Sequence, residues 1–137
     1  MNPEPGTTEK ILIVEENKKQ RILLESILGG SGFQIISKNS GEKAINFMHE
    51  NGPVGVIFAP FTMKEMNGLE FFKITKNISS HSYRVLLSCY HSIDNLANHI
   101  EKEDIHYLIK KPFFLKEVVE QAQTGLLHYS YRSSNKE

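Results

Sequence analysis

Five short runs of apolar and largely β-branched residues, each followed by a stretch of helical periodicity, constrain this chain more than any other feature. Residues 10–14 are continuously apolar after Lys10 rather than alternating. A strand buried on both faces of a parallel sheet reads that way. Residues 33–37, 54–59, 84–87 and 105–109 read as four further strands. The segments between them carry helix signals. Ile22, Leu23, Ser26 and Ile27 fall near one face of a helix over 18–28, and Gly29, Gly30 and Gly32 are expected to end it by supplying positive φ. Asn39-Ser40 offers an N-cap ahead of an apolar stripe of Ala44, Ile45 and Met48, which Asn51-Gly52-Pro53 stops. Met66-Asn67-Gly68 marks a turn before a helix over 69–78. Ile93, Leu96, Ala97 and Ile100 match the i, i+3, i+4, i+7 template, and Leu115, Val118, Val119, Ala122 and Leu126 form a last apolar stripe.

This alternation predicts an α/β fold, an open parallel sheet with helices on both faces and right-handed crossovers. Functional residues in such folds lie at the carboxyl ends of the strands. Here those ends carry Glu15-Glu16, Pro60, Ser88 and Lys111. The length of 137 residues suits one domain with one core. Residues 1–9 are expected to be a disordered N-terminal segment, 10–129 the folded domain, and 130–137 a polar tail or linker.

The charge balance, 16 basic against 16 acidic residues, carries no electrostatic footprint for nucleic acid or an anionic membrane. The single Cys89 excludes an internal disulfide and a multi-cysteine metal site, and suggests a reducing compartment. The N-terminus lacks the apolar stretch of a signal peptide, and no run reaches membrane-spanning length, so a cytoplasmic location is expected. His49, His81, His91, His99, His106 and His128 are scattered without metal-ligand spacing. No glycine-rich phosphate loop is present.

The strand-end residues resemble those of receiver domains of two-component response regulators. Glu15-Glu16 after Ile11-Leu12-Ile13-Val14 is similar to the family's acidic pair, normally two aspartates that help bind Mg2+. The segment from Met63 to Gly68 is similar to the loop after the third strand, Ser88 to the Ser or Thr that contacts the phosphoryl group, and Lys111-Pro112-Phe113 to the Lys-Pro-Phe whose lysine contacts the same group. The likeness spans residues 10–129 and implies a flavodoxin-like (βα)5 sheet in the order 2-1-3-4-5. A narrower likeness, carried by Leu86-Leu87-Ser88-Cys89-Tyr90, Ile100, Ile105 and Leu108-Ile109-Lys110-Lys111-Pro112, is to receivers attached to HD-type cyclic-dinucleotide phosphodiesterases.

Counting back from Gly68 by the family spacing places Pro60 at the phospho-acceptor position. Proline has no nucleophile, no metal-ligating side chain and no backbone N–H. Its neighbours Ala59 and Phe61 are not acids, and no aspartate occurs before Asp94. Glu15 and Glu16 are one methylene longer than aspartate, so weak Mg2+ binding at most is expected of them. No other cofactor is expected. Ser88 is expected to bond nearby backbone, and Lys111 to close the empty site by a salt bridge to Glu15 or Glu16. Leu108, three residues before Lys111, stands where many receivers carry an aromatic switch, and Tyr107 should face the other way.

The reading is a non-enzymatic, atypical receiver in phosphorelay signalling that acts by phosphorylation-independent protein–protein interaction. Its partner is expected to be a histidine kinase or an effector domain, a homodimer is a further expectation, and no nucleic acid or membrane is expected to be involved. The interaction face would include residues 95–103, Tyr107, Leu108, Lys116 and Glu120. A phosphorylatable receiver with a non-standard acceptor, or a small-anion sensor at Ser88 and Lys111, are the competing readings.

Overall fold

The computed structural model describes residues 9–88 and 96–134. Ten elements alternate along them: β1 Ile11–Val14, α1 Lys18–Gly30, β2 Ile35–Lys38, α2 Gly41–Asn51, β3 Val56–Pro60, α3 Gly68–Ile78, β4 Tyr83–Ser88, α4 Leu96–Glu101, β5 Tyr107–Lys110 and α5 Leu115–Ser134. The strands form one parallel sheet in the order β2-β1-β3-β4-β5, the flavodoxin-like arrangement expected. β1, β3 and β4 are buried along their whole length, whereas β2 and β5 at the edges are only partly so. The continuous apolar runs thus fall on the strands with helices on both sides.

The period-2 alternation of each strand divides the interior into two layers. Ile11, Ile13, Val56, Phe58, Val85, Leu87 and Ile109 pack with Leu24, Leu28, Val118 and Ala122 of α1 and α5. Leu12, Val14, Ile57, Ala59 and Leu86 pack on the opposite face with Ala44, Met48, Phe71 and Phe72 of α2 and α3. Side chains start three helices. Asn17 accepts from the Gln20 N–H, Ser40 from the Lys43 N–H, and Asn67 forms a reciprocal capping box with Glu70.

Several strand ends shift by one or two residues from the sequence expectation, and two helices run further than expected. Gly29 and Gly30 stay within α1, and of the three glycines Gly32 alone takes the positive φ expected. α5 does not end at Tyr129 but runs to Ser134, and Arg132 in its last turn bonds the Glu103 carboxylate in the loop after α4 at 2.9 Å. Gly125 lets α5 lie against the sheet, since a Cβ there would sit 2.6 Å from the Tyr83 ring. Among the expectations, the N-terminal segment 1–8 and Cys89, Tyr90, His91, Ile93 and Asn95 lie outside the described residues. In α4, Ala97 and Ile100 are exposed, so that part of the predicted stripe is not a core face. No helix among the described residues is long and apolar enough to cross a membrane.

Candidate functional site

The carboxyl ends of β1, β3 and β4 converge where the sequence reading placed its site. Pro60 is the last residue of β3, buried and in register with Leu87. The next residue, Phe61, donates its N–H to the Leu87 carbonyl at 3.0 Å, so the Pro60 nitrogen turns toward the β1 side. The β1 ladder has ended there at Ile13 and Phe58, so the missing N–H of a proline in a central strand breaks no rung. The following loop returns at once. Gly68 donates to the Phe61 carbonyl at 2.7 Å, and a Cβ on Gly68 would lie 2.4 Å from the Pro60 oxygen. Glycine is therefore required at the start of α3, and the spacing from Pro60 to Gly68 is set by direct contact.

Glu15 and Glu16 follow β1, as expected, but each is committed elsewhere. The Glu15 carboxylate is nearly buried and accepts from the Asn17 N–H at 3.0 Å. The Glu16 carboxylate accepts from the Lys64 N–H at 2.8 Å. The Arg21 guanidinium donates to the Glu15 carbonyl at 2.8 Å and to the Glu16 carbonyl at 3.4 Å. Arg21 and Lys64 were missed in the sequence reading. The signal for Arg21 was its place four residues after the N-cap Asn17, on the same helix face. Lys64 had none, because it contributes its backbone.

Lys111 does not make the expected salt bridge. Among the described residues it forms no ion pair with Glu15 or Glu16. Its N–H donates to the Ser88 carbonyl at 3.0 Å, and a cis peptide joins it to Pro112. The physical reason is position. Lys111 lines a cleft of about 360 Å³ with Gln20, Leu23, Pro112 and Phe113, whereas Glu16 lines a separate cleft of about 380 Å³ with Ser40, Met63 and Lys64. Arg21, not Lys111, is the cation that bonds the acidic pair, through their main-chain carbonyls. Ser88 is buried at the end of β4, in register with Lys110.

This donor set does not fit Mg2+. A hard divalent ion needs several oxygens directed at one point in octahedral geometry. Pro60 has no side-chain oxygen, one oxygen each of Glu15 and Glu16 is bonded to a main-chain N–H, and a guanidinium occupies the carbonyls behind them. Among the described residues no three His, Cys, Asp or Glu side chains gather as a metal site would require.

A second polar cluster lies at the opposite end of the sheet. Arg84, the largest fully buried side chain, donates to the carbonyls of Ser82, Glu103 and Asp104 at 3.1, 2.6 and 3.0 Å. Burial, reinforced by the charge of Arg132, lowers its pKa to about 10, which leaves it protonated at neutral pH. Burial pushes Asp104 up, but hydrogen bonds from His99 and Lys76 outweigh it and hold the carboxyl below its usual range. The histidines are not all scattered. His106 stacks on Tyr83 at 5.1 Å and meets His128 at 4.8 Å. His106 Nδ1 accepts from the Arg84 N–H, so its neutral ring carries the proton on Nε2 and offers no lone pair to a metal.

On the remaining face, Tyr107 and Leu108 point to opposite sides of β5, as expected. Tyr107 packs with the α1–α5 layer and donates its hydroxyl to Glu117 at 2.8 Å, while Leu108 packs with the α2–α3 layer. Lys116 and Glu120 are exposed on α5, 4.0 Å apart.

Comparison with known proteins bears on the family and the fold. The sequence profile of the response regulator receiver domain matches residues 11–123. The chain is 25% identical over 105 residues to the transcriptional regulatory protein ZraR of Klebsiella oxytoca, a match covering 77% of this chain but only 24% of that regulator. It is 26% identical over 110 residues to sporulation initiation phosphotransferase F of Bacillus subtilis (strain 168), covering 80% of this chain and 87% of that protein. Among solved structures, the signal receiver domain of an HD domain-containing protein from Pseudomonas fluorescens Pf-5 superposes with a TM-score of 0.82 at 16% identity, covering 92% of this chain and all of that one (100%).

Proposed function

The chain belongs to the receiver-domain family of two-component response regulators, and we propose that it acts there as a non-phosphorylatable module that signals through protein–protein contact. The observation that carries this reading is Pro60. It ends β3 at the convergence of the strand ends, with Ala59 and Phe61 beside it, and it offers no atom that could form an acyl phosphate. The commitment of Glu15 and Glu16 to main-chain N–H groups supports the same reading, because phosphoryl transfer between oxygens relies on a metal to offset the charge.

Without chemical input, a receiver can still work if one conformation dominates and a partner binds it selectively. The face made by α4, β5 and α5 suits that role. Ala97 and Ile100 leave apolar surface exposed, Tyr107 and Leu108 are half-buried, and Lys116 and Glu120 place both charge signs at the rim. The partner on this reading is a histidine kinase or effector domain, and the domain itself performs no catalysis. Incubation with acetyl phosphate and Mg2+, followed by intact mass, tests the central claim. No phosphoryl mass is expected. A stoichiometric, base-labile adduct would overturn it.

A further inference from the structure

We infer that Glu16 is a positioning residue that ties the loop over residues 61–67 to the end of β1, so that the strand-end site keeps one closed arrangement with neither a divalent cation nor a phosphoryl group. The inference rests on the phosphorylation-independent reading above and adds the device that makes it structurally self-sufficient.

The loop is fixed at both ends by backbone and capping bonds. Phe61 donates to Leu87, Gly68 donates to Phe61, and Asn67 and Glu70 cap α3 reciprocally. Its middle is fixed by Glu16, whose carboxylate accepts from the Lys64 N–H at 2.8 Å across forty-eight positions of sequence. Hydrogen bonds from a main-chain N–H to a carboxylate are charge-assisted and stronger than their neutral counterparts. The anchor is itself immobilised. The Glu15 N–H donates to Lys38 of β2 at 3.1 Å, the Glu15 carboxylate folds back onto the Asn17 N–H, and Arg21 from α1 grips the carbonyls of both glutamates.

Side-chain length is what permits this. Glutamate carries its oxygens one methylene beyond the reach of aspartate, and Glu16 spends that reach on a loop amide. Glu16 and Lys64 share the wall of the 380 Å³ cleft with Met63 and Ser40, so the bond also shapes that cleft. A direct carboxylate–amide contact thus joins the end of β1 to the loop after β3 using protein groups alone.

The test is amide hydrogen exchange on the full chain, comparing wild type with Glu16→Gln, Glu16→Asp and Glu16→Ala, each with and without millimolar Mg2+. Gln keeps the acceptor at the same reach, Asp keeps the charge but falls short, and Ala removes both. The Lys64 amide is expected to be protected in wild type and largely so in Glu16→Gln. It should exchange about tenfold faster or more in Glu16→Asp and Glu16→Ala. The amides of Ile13, Phe58 and Leu86 serve as the check that the sheet is intact, and Glu16→Asp carries the test if Glu16→Ala fails that check. Mg2+ should change none of these rates. Lys64 exchange that is indifferent to all three substitutions, or that Mg2+ slows in wild type, would overturn the inference. Intact mass on the same samples after acetyl phosphate separates the two claims. An adduct sinks the phosphorylation-independent reading, whereas loss of the Glu16 dependence without an adduct sinks only the tie.

Discussion

The Tyr107 hydroxyl donates a hydrogen bond to the Glu117 carboxylate at 2.8 Å, fastening β5 to the first turn of α5. That bond holds the phenol proton above the usual tyrosine range, so Tyr107 stays neutral and oriented at any ordinary pH. It fixes the relative position of the two outer elements on the proposed docking face. Charge reversal at Lys116 and Glu120 combined with Tyr107→Ala should weaken binding to a partner recovered from cells about tenfold or more, with near-native circular dichroism. Binding should not depend on phosphodonor. Unchanged affinity in the triple variant would remove the face from consideration, and a requirement for phosphodonor would remove the mechanism.

Restoring an acceptor alone should not restore the chemistry. Pro60→Asp supplies a carboxylate at the end of β3, where the missing proline N–H broke no ladder bond, so the fold should tolerate it. The remaining groups stay unsuited. Glu16 is bonded to Lys64, Arg21 occupies the carbonyls of the acidic pair, and Lys111 lines a different cleft. With acetyl phosphate and Mg2+, fewer than about one molecule in ten should carry phosphoryl mass, since misplaced catalytic groups lose orders of magnitude in rate. Rapid and complete labelling, read by intact mass, would show that the rest of the site is still competent.

Stability should fall on mild acidification. Burial, with the positive charges of Arg84 and His128 adding to it, pushes the His106 pKa down to about 3 from an ordinary 6.5. His128 is lowered for the same leading reason. The folded state therefore keeps His106 neutral while the unfolded chain takes up a proton below about pH 6.5. The stabilisation is whole above that value and is lost progressively as pH falls toward 3. Urea denaturation should show a loss of up to about 2 kcal/mol between about pH 7 and about pH 5, less where water reaches the ring. His106→Phe should flatten that slope, although it leaves the Arg84 N–H without its acceptor and lowers stability at neutral pH. An equal slope in the variant would contradict the assignment. Asp104 works in a lower window, because its depressed pKa matters only once the pH drops below the ordinary carboxylate range.

Local sequence features were enough to reveal the alternation of elements, the burial of β1, β3 and β4 on both faces and the lack of a nucleophilic side chain at the end of β3. Each is a local property. Continuous apolarity in residues 11–14 records burial on both faces, and proline lacks a nucleophile wherever it sits. The order of strand-end residues was likewise legible, because the turns on either side of Pro60 and Gly68 are short and their contact is direct. Which groups meet across separate elements could be read only from the folded chain. Arg21 and Lys64 reach the acidic pair, Lys111 does not, and His106, His128 and Tyr83 form one cluster although Tyr83 and His128 are far apart in the chain. Arg132 on α5 meets Glu103 after α4 in the same way. Periodicity along one element reports which face is buried. It carries no information about which side chain or amide a crossover will bring to that face, and those pairings are set by loop path and side-chain reach.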